Sequence, residues 1–215
     1  MKKTPTHTEL SELELDALTE LVNLGISQAA HRLAKMVKEE VVLSVPKVTL
    51  VGQKEAIKIL GERESKNMVA VHQIFEGEIT GRALLIFPEA NSLELVRAVI
   101  GRDLSIEEII ELEQEALAET GNVILNGCLA TIANLLHRNL KISLPEVLRG
   151  ESAEFFNLKP PPEAGDTVMF IYINFAVRQR NIEGYIAMLM DMPSMATLKV
   201  LLGEFIRRTT GASTS

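Results

Sequence analysis

The sequence predicts a fold of two α-β-β-β-α halves that share one sheet. Three observations predict it: two long stretches carry apolar residues at helical spacing, each is followed by β-type runs, and key residues of the first half recur 99 positions later in the second. Of the 215 residues, 47% are hydrophobic and 24% charged, the profile of an ordered globular chain long enough for one large domain or two small ones. A half by itself has too few strands to cover its apolar faces, so the halves are expected to build the sheet together.

The first helix starts at Ser11, where Ser11-x-x-Glu14 reads as a capping box, and runs to about Lys38. Leu15, Leu18, Val22, Ile26, Ala29 and Leu33 recur along it at three- and four-residue steps, and Lys35 and Lys38 place positive charge at its end. Val41 to Val48, passing through Pro46, reads as a strand; Met68 to Phe75 and Glu78 to Phe87 read as two more, ending at Pro88. Leu93 to Ile100, with Ser92 as its N-cap, reads as a short closing helix before Gly101.

The second half repeats this order. Ser105-x-x-Glu108 opens a helix that continues to His137 and Arg138. Lys141 to Val147 passes through Pro145, Thr167 to Arg178 and Ile182 to Met190 follow as strands before Pro193, and Met195 to Leu202, capped by Ser194, closes the half before Gly203. The chain therefore reads as one domain over 1–215, with a first repeat at about 10–103, a second at about 104–208 and a frayed tail at 209–215. Glu20 to Glu119, Asn23 to Asn122 and Pro46 to Pro145 are each 99 residues apart, whereas Gly81 to Gly184 is 103. That drift predicts a loop insertion in the turn-rich segment Pro160 to Gly165.

Composition excludes several function classes. With a net charge of −7 and no Lys/Arg cluster interleaved with aromatics, the chain lacks the footprint of a nucleic-acid binder. Its longest apolar stretch, Val168 to Val177, is broken by Asn174 and falls well short of the roughly 20 residues that cross a bilayer, so it reads as a buried strand and no membrane insertion is expected. Met1 to Thr8 leads into acidic helical sequence rather than an apolar signal segment, which places the protein in the cytoplasm.

The lone Cys128 forms no internal disulfide and reads as a small buried residue. His7, His31, His72 and His137 are scattered without ligand spacing, so no metal site is expected. Met188, Met190 and Met192 alternate as packing positions of a strand, and Gly77, Gly81 and Gly184 mark bulges or close backbone approaches.

The chemistry-bearing pattern lies on the long helices. Asp16, Glu20 and Asn23 fall at i, i+4 and i+7, within about 60° of one another at 100° per residue. Glu115, Glu119, Asn122 and Asn126 repeat the arrangement, and in both copies the asparagine is followed by 22 residues and a proline. A single Glu-x-x-Asn describes many solvated helix faces; matching three such positions, each at roughly 5% usage, is on the order of a one-in-ten-thousand coincidence per register. Duplication by itself copies surface along with core, and the prolines are expected to set where a strand begins.

Asp16-x3-Glu20-x2-Asn23-x22-Pro46 resembles the signature of the CheC/CheX/FliY phosphatases, and Glu115-x3-Glu119-x2-Asn122-x22-Pro145 looks like its second copy. The resemblance covers nearly the whole chain. It implies an α+β pseudo-two-fold domain with two long helices packed on one face of a largely antiparallel sheet. It further implies an enzyme that removes the phosphoryl group from the aspartyl phosphate of a CheY-type response regulator in chemotaxis, with no cofactor of its own and Mg²⁺ carried by the regulator. Glu20, Asn23, Glu119 and Asn122 are the implied catalytic residues; Asp16, Ser27, Glu115 and Asn126 would extend the contact with the partner; Pro46 and Pro145 are structural. A CheD-like deamidase is a further implied partner. The one departure is Glu115, where the family has Asp or Ser.

These residue types suit the reaction. An acyl phosphate needs a water placed for in-line attack, and a neutral carboxamide offers both donor and acceptor beside an anionic phosphoryl group. A glutamate one turn earlier can pair with a lysine of the regulator and fix the register of docking. The alternative is a non-catalytic adaptor that binds a response regulator, a deamidase or a flagellar switch component; a third reading makes the duplicated helices a dimerisation surface. Relatives in the flagellar switch that lack the Glu-x-x-Asn pairs favour catalysis for a chain that carries two.

Overall fold

Ser11 opens the first helix through a reciprocal cap. Its Oγ accepts from the Glu14 N–H at 3.3 Å while its own N–H donates to the Glu14 carboxylate at 2.7 Å, which satisfies two otherwise unpaired helix-end donors. The computed structural model describes residues 10–63, 67–100, 105–157, 167–177 and 180–211; Gly101, the expected insertion at Pro160 to Gly165, and tail residues 212–215 lie outside them. Helix α1 spans Glu12–Val37 and ends at Lys38, which turns left-handed at φ 55°.

Each half proves to be α-β-α-β-β-α. After α1 come β1 (Val41–Gly52), α2 (Gln53–Arg63), β2 (Met68–Gly77), β3 (Gly81–Pro88) and α3 (Glu89–Ile100). The second half runs α4 (Ile106–Leu135), β4 (Leu140–Ile142), β5 (Glu146–Gly150), α5 (Ser152–Phe156), β6 (Thr167–Val177), β7 (Arg180–Met190) and α6 (Met192–Thr210). Ser105 caps α4 with the same two bonds to Glu108, at 3.3 and 2.9 Å.

The seven strands form one antiparallel sheet in the order β1-β6-β7-β3-β2-β4, with β5 also on β2. The halves are interleaved in it: β1 pairs with β6 of the second half, and β4 and β5 pair with β2 of the first. Both prolines of the motif sit at irregularities. The β1 register shifts between Ser44 and Lys47, around Pro46, and the corresponding strand is split into β4 and β5 by residues 143–145, which end at Pro145. A ring without an N–H cannot continue a ladder, so the chain breaks pairing there.

The α+β class and the shared antiparallel sheet agree with expectation, with two helices added. The side chains of each strand alternate between two cores. On one face Val69, Val71 and Phe75 meet Leu18 and Leu21 of α1 and Leu117 and Ile124 of α4. On the other, Met68 and Ala70 meet Ala56 and Leu60 of α2 and Phe155 and Phe156 of α5. These helices bury one turn's worth of apolar residues each, too few to give a period in sequence. The connection between β5 and β6, residues 151–166, is one residue longer than the connection 53–67 that holds α2.

Other boundaries also differ from expectation. Met68 faces Pro88 while Val168 faces Leu189, so the counterpart of Gly81 across the repeat is Ile182 rather than Gly184. Helix α3 starts three residues before Ser92, whose Oγ instead donates within its first turn to Glu89 O at 2.8 Å. Asp191, not Ser194, caps α6, its carboxylate accepting from the Ser194 N–H at 2.7 Å. That helix takes in Met192 and Pro193 and runs through Gly203 to Thr210. His137 and Arg138 lie beyond α4, where Arg138 instead reaches Glu78 and Glu204 at 2.7 and 3.2 Å.

The two long helices pack directly on each other. A Cβ on Gly25 would stand 3.0 Å from the Cys128 backbone, and one on Gly127 would stand 2.9 Å from Cβ of Ala29, so the crossing is backbone against backbone. By length and composition α4 would suit a bilayer, but 56% of that window is buried inside the fold.

Candidate functional site

The packing of α1 decides what it shows to water. Leu18, Leu21, Val22, Gly25, Ile26 and Ala29 are spent on the core, which leaves Asp16, Glu20, Asn23 and Ser27 along the opposite side, all exposed. Among the described residues, none of the four accepts or donates a side-chain hydrogen bond. One turn earlier on the same ridge stands Leu13, 58% exposed, and its counterpart Leu112 on α4 is 40% exposed. Sequence reading passed over this pair, although their shared offset from Glu20 and Glu119 was a signal.

The second ridge carries the same residues in a different setting. Glu115 and Glu119 are exposed, but Asn122 and Asn126 are half-buried because α4 lies close against β2. A Cβ on Gly121 would come within 2.5–2.7 Å of the Val71 side chain, so only glycine permits this approach. The equivalent residue on α1 is Val22, which is itself core.

Under Asn122 lies Gln73, 0% exposed, on the same face of β2 as Val69, Val71 and Phe75. Its Nε2 donates to Ser143 O at 2.8 Å and to Asn122 Oδ1 at 3.1 Å, with Asn126 Oδ1 further away at 3.4 Å. Asn126 Nδ2 donates to the same Asn122 Oδ1 at 2.6 Å. The orientation of all three amides follows from one group. Ser143 O is a backbone carbonyl and can only accept, so Gln73 must turn Nε2 towards it. Asn122 must then present Oδ1 to Gln73, and Asn126 presents Nδ2 to Asn122. Ser143 is itself tied to β2, its N–H donating to Ile74 O and its Oγ accepting from the Ile74 N–H, both at 2.9 Å.

Gln73, bonded to Asn122 beneath the second ridge, is the residue that sequence reading missed. Its signal was a polar residue in an apolar slot of a period-two strand. The counterpart of Gln73 in the other half is Ile173: Val147 pairs with Val71, and Val48, 99 residues earlier, pairs with Ile171. Asn126, expected to extend the contact with the partner, donates its amide to Asn122.

Burial also shifts titratable groups elsewhere in the fold. Cys128 is fully buried at the helix crossing, and that burial pushes its thiol up to about 12. His72, on the second face of the sheet, is held below its usual value chiefly by burial, against an opposing pull from Glu146, whose carboxylate lies 3.6 Å away, and with a smaller lowering from Arg82. Among the described residues, no three His, Cys, Asp or Glu side chains come together as a metal site.

Residues 69–160 match the family described as chemotaxis phosphatase CheX. The CheY-P phosphatase CheC of Bacillus subtilis is 27% identical over 208 residues, covering 90% of this chain and 96% of that protein. The flagellar motor switch phosphatase FliY of the same organism is 20% identical over 81% of this chain and 45% of its own length. Among solved structures, Thermotoga maritima FliY superposes with a TM-score of 0.70 at 18% identity, covering 91% of this chain and 98% of that one, which marks a shared fold. Along nine-tenths of its sequence the chain is similar to a CheC phosphatase, and it shares its fold with FliY.

Proposed function

We propose that the protein is a phosphatase that hydrolyses the aspartyl phosphate of a CheY-type response regulator, and that each long helix carries one site. Likeness to CheC of Bacillus subtilis, a CheY-P phosphatase, over both halves of the chain supports the activity. The observation that carries the siting is the pair of polar ridges, each with a carboxylate and a carboxamide one helical turn apart on a surface free for docking.

In this reading Glu20 and Glu119 pair with a lysine of the regulator, while Asn23 and Asn122 reach the phosphoryl group. A water oxygen attacks phosphorus in line, the P–O bond to the aspartate breaks, and its electron pair leaves with the restored carboxylate. The water's proton passes to solvent and inorganic phosphate departs. The regulator's Mg²⁺ neutralises the phosphoryl oxygens, so the phosphatase has only to place the water. Asp16, Ser27 and Glu115 extend the docking surface, and Leu13 and Leu112 give each ridge an apolar end. We place the reaction in the cytoplasm, with a CheD-like deamidase as a second partner.

The test is the decay rate of a phosphorylated CheY-type regulator with and without the protein. Acceleration supports the reading. Binding with unchanged decay overturns it in favour of an adaptor.

A further inference from the structure

The two sites share their motif residues but not their support, and the difference resides in side chains outside the motif. Asn122 is held by two donors on Oδ1, from Gln73 and Asn126, while Asn23 has none among the described residues. We infer that Gln73 is a positioning residue that locks the Asn122 carboxamide with its oxygen inward and its Nδ2 towards the docking surface, so that the second site is preorganised and the first is not. The inference rests on the phosphatase reading and specifies how one of its sites is built.

Three features converge on it. Gly121 lets α4 approach β2 closely enough for the amides to meet, whereas Val22 stands at that position on α1. The partner side chain under Asn23 would come from Ile173, which has no polar atom to offer. The strand break at residues 143–145 turns Ser143 O towards Gln73, which fixes the direction of the whole relay. The spacing Asn-x22-Pro thus has a chemical consequence in the second half: the break before Pro145 supplies the acceptor that orients Gln73, and Gln73 orients Asn122.

Gln73 also bears a cost. Its Oε1 is buried with no hydrogen-bond partner, a burial that an apolar residue at this slot would avoid. A preorganised amide loses less rotational freedom on reaching the transition state, and correct placement governs rate rather than affinity.

The test isolates the second site with Asn23→Ala and then adds Gln73→Ile, which copies the residue found in the first half. Steady-state decay of the phosphorylated regulator gives kcat and KM, and NMR of the Asn122 side-chain amide reports its order. The expected result is about a tenfold fall in kcat with KM unchanged, together with loss of order at the Asn122 amide. The thermal midpoint holds or rises, because the unpaired Oε1 is gone. Unchanged kcat, a rise in kcat, or an Asn23→Ala parent with no Asn122-dependent turnover would each overturn the inference. In those cases an active wild type leaves the phosphatase reading standing; a wild type that accelerates nothing removes both.

Discussion

A Cβ placed on Gly121 would lie 2.5 Å from Cγ1 of Val71, so α4 touches β2 through bare backbone at the residue next to Asn122. This contact sets the height of the second ridge above the sheet and brings Asn122 within reach of Gln73.

Gly121→Ala therefore lifts α4 from β2. Overpacking of this kind costs about 1–3 kcal/mol, read as a lower urea midpoint. Val71→Ala in the same chain reopens the space and recovers most of the loss, a coupling expected of residues in contact. Additive losses would show that the two residues do not meet.

Asn23→Ala leaves folding intact, since the residue is exposed and alanine is the better helix former by a few tenths of a kcal/mol. Asn122→Ala also folds, with Gln73 keeping its bond to Ser143 O. Each single variant retains part of the phosphatase activity and the double variant retains none, measured as regulator decay at matched concentrations. A double variant with wild-type decay would remove both asparagines from the chemistry.

His72 gives the fold a pH dependence of known sign. Burial keeps it neutral in the native state, with a value below the roughly 6.5 of an unfolded histidine. Below that pH the unfolded chain takes up a proton that the native protein refuses, so the contribution is fully present above about 6.5 and is lost as pH falls towards the folded value. Arg82 reinforces this and Glu146 opposes it. The thermal midpoint of wild type should drop between pH 7.5 and pH 5.5 by more than that of His72→Gln; parallel curves would contradict the assignment.

Cys128 should be chemically silent. Its thiol is buried against Gly25 and pushed up to about 12, so almost none is thiolate near neutrality. Ellman's reagent at pH 8 should label no thiol in the native protein and one per chain in denaturant. Rapid labelling of the native form would mean that the α1/α4 crossing opens.

What the sequence announced follows from how each signal is written. Ser11 with Glu14 and Ser105 with Glu108 encode their helix starts locally, within four residues, and both appear as read. The exposed faces of Glu20 and Glu119 follow from helical geometry alone. By contrast, Ser92 and Ser194 have the right residue type for caps but lie inside helices, one starting at Glu89 and the other capped by Asp191. α2 and α5 stayed hidden because their cover of the sheet's second face needs only Ala56, Leu60, Phe155 and Phe156. Gln73 was the hardest to see, because its partners Asn122 and Ser143 are 49 and 70 residues away in sequence.

The interleaving of the sheet governs how the chain can be made. β1 ends at Gly52, and its partner strand begins only at Thr167. A ribosome adding about 5–20 residues per second leaves that strand as an open edge for on the order of ten seconds. Throughout that interval the first half lacks the strand that would close it. The covalent link between the halves keeps the chain's own β6 at high effective concentration beside that waiting edge.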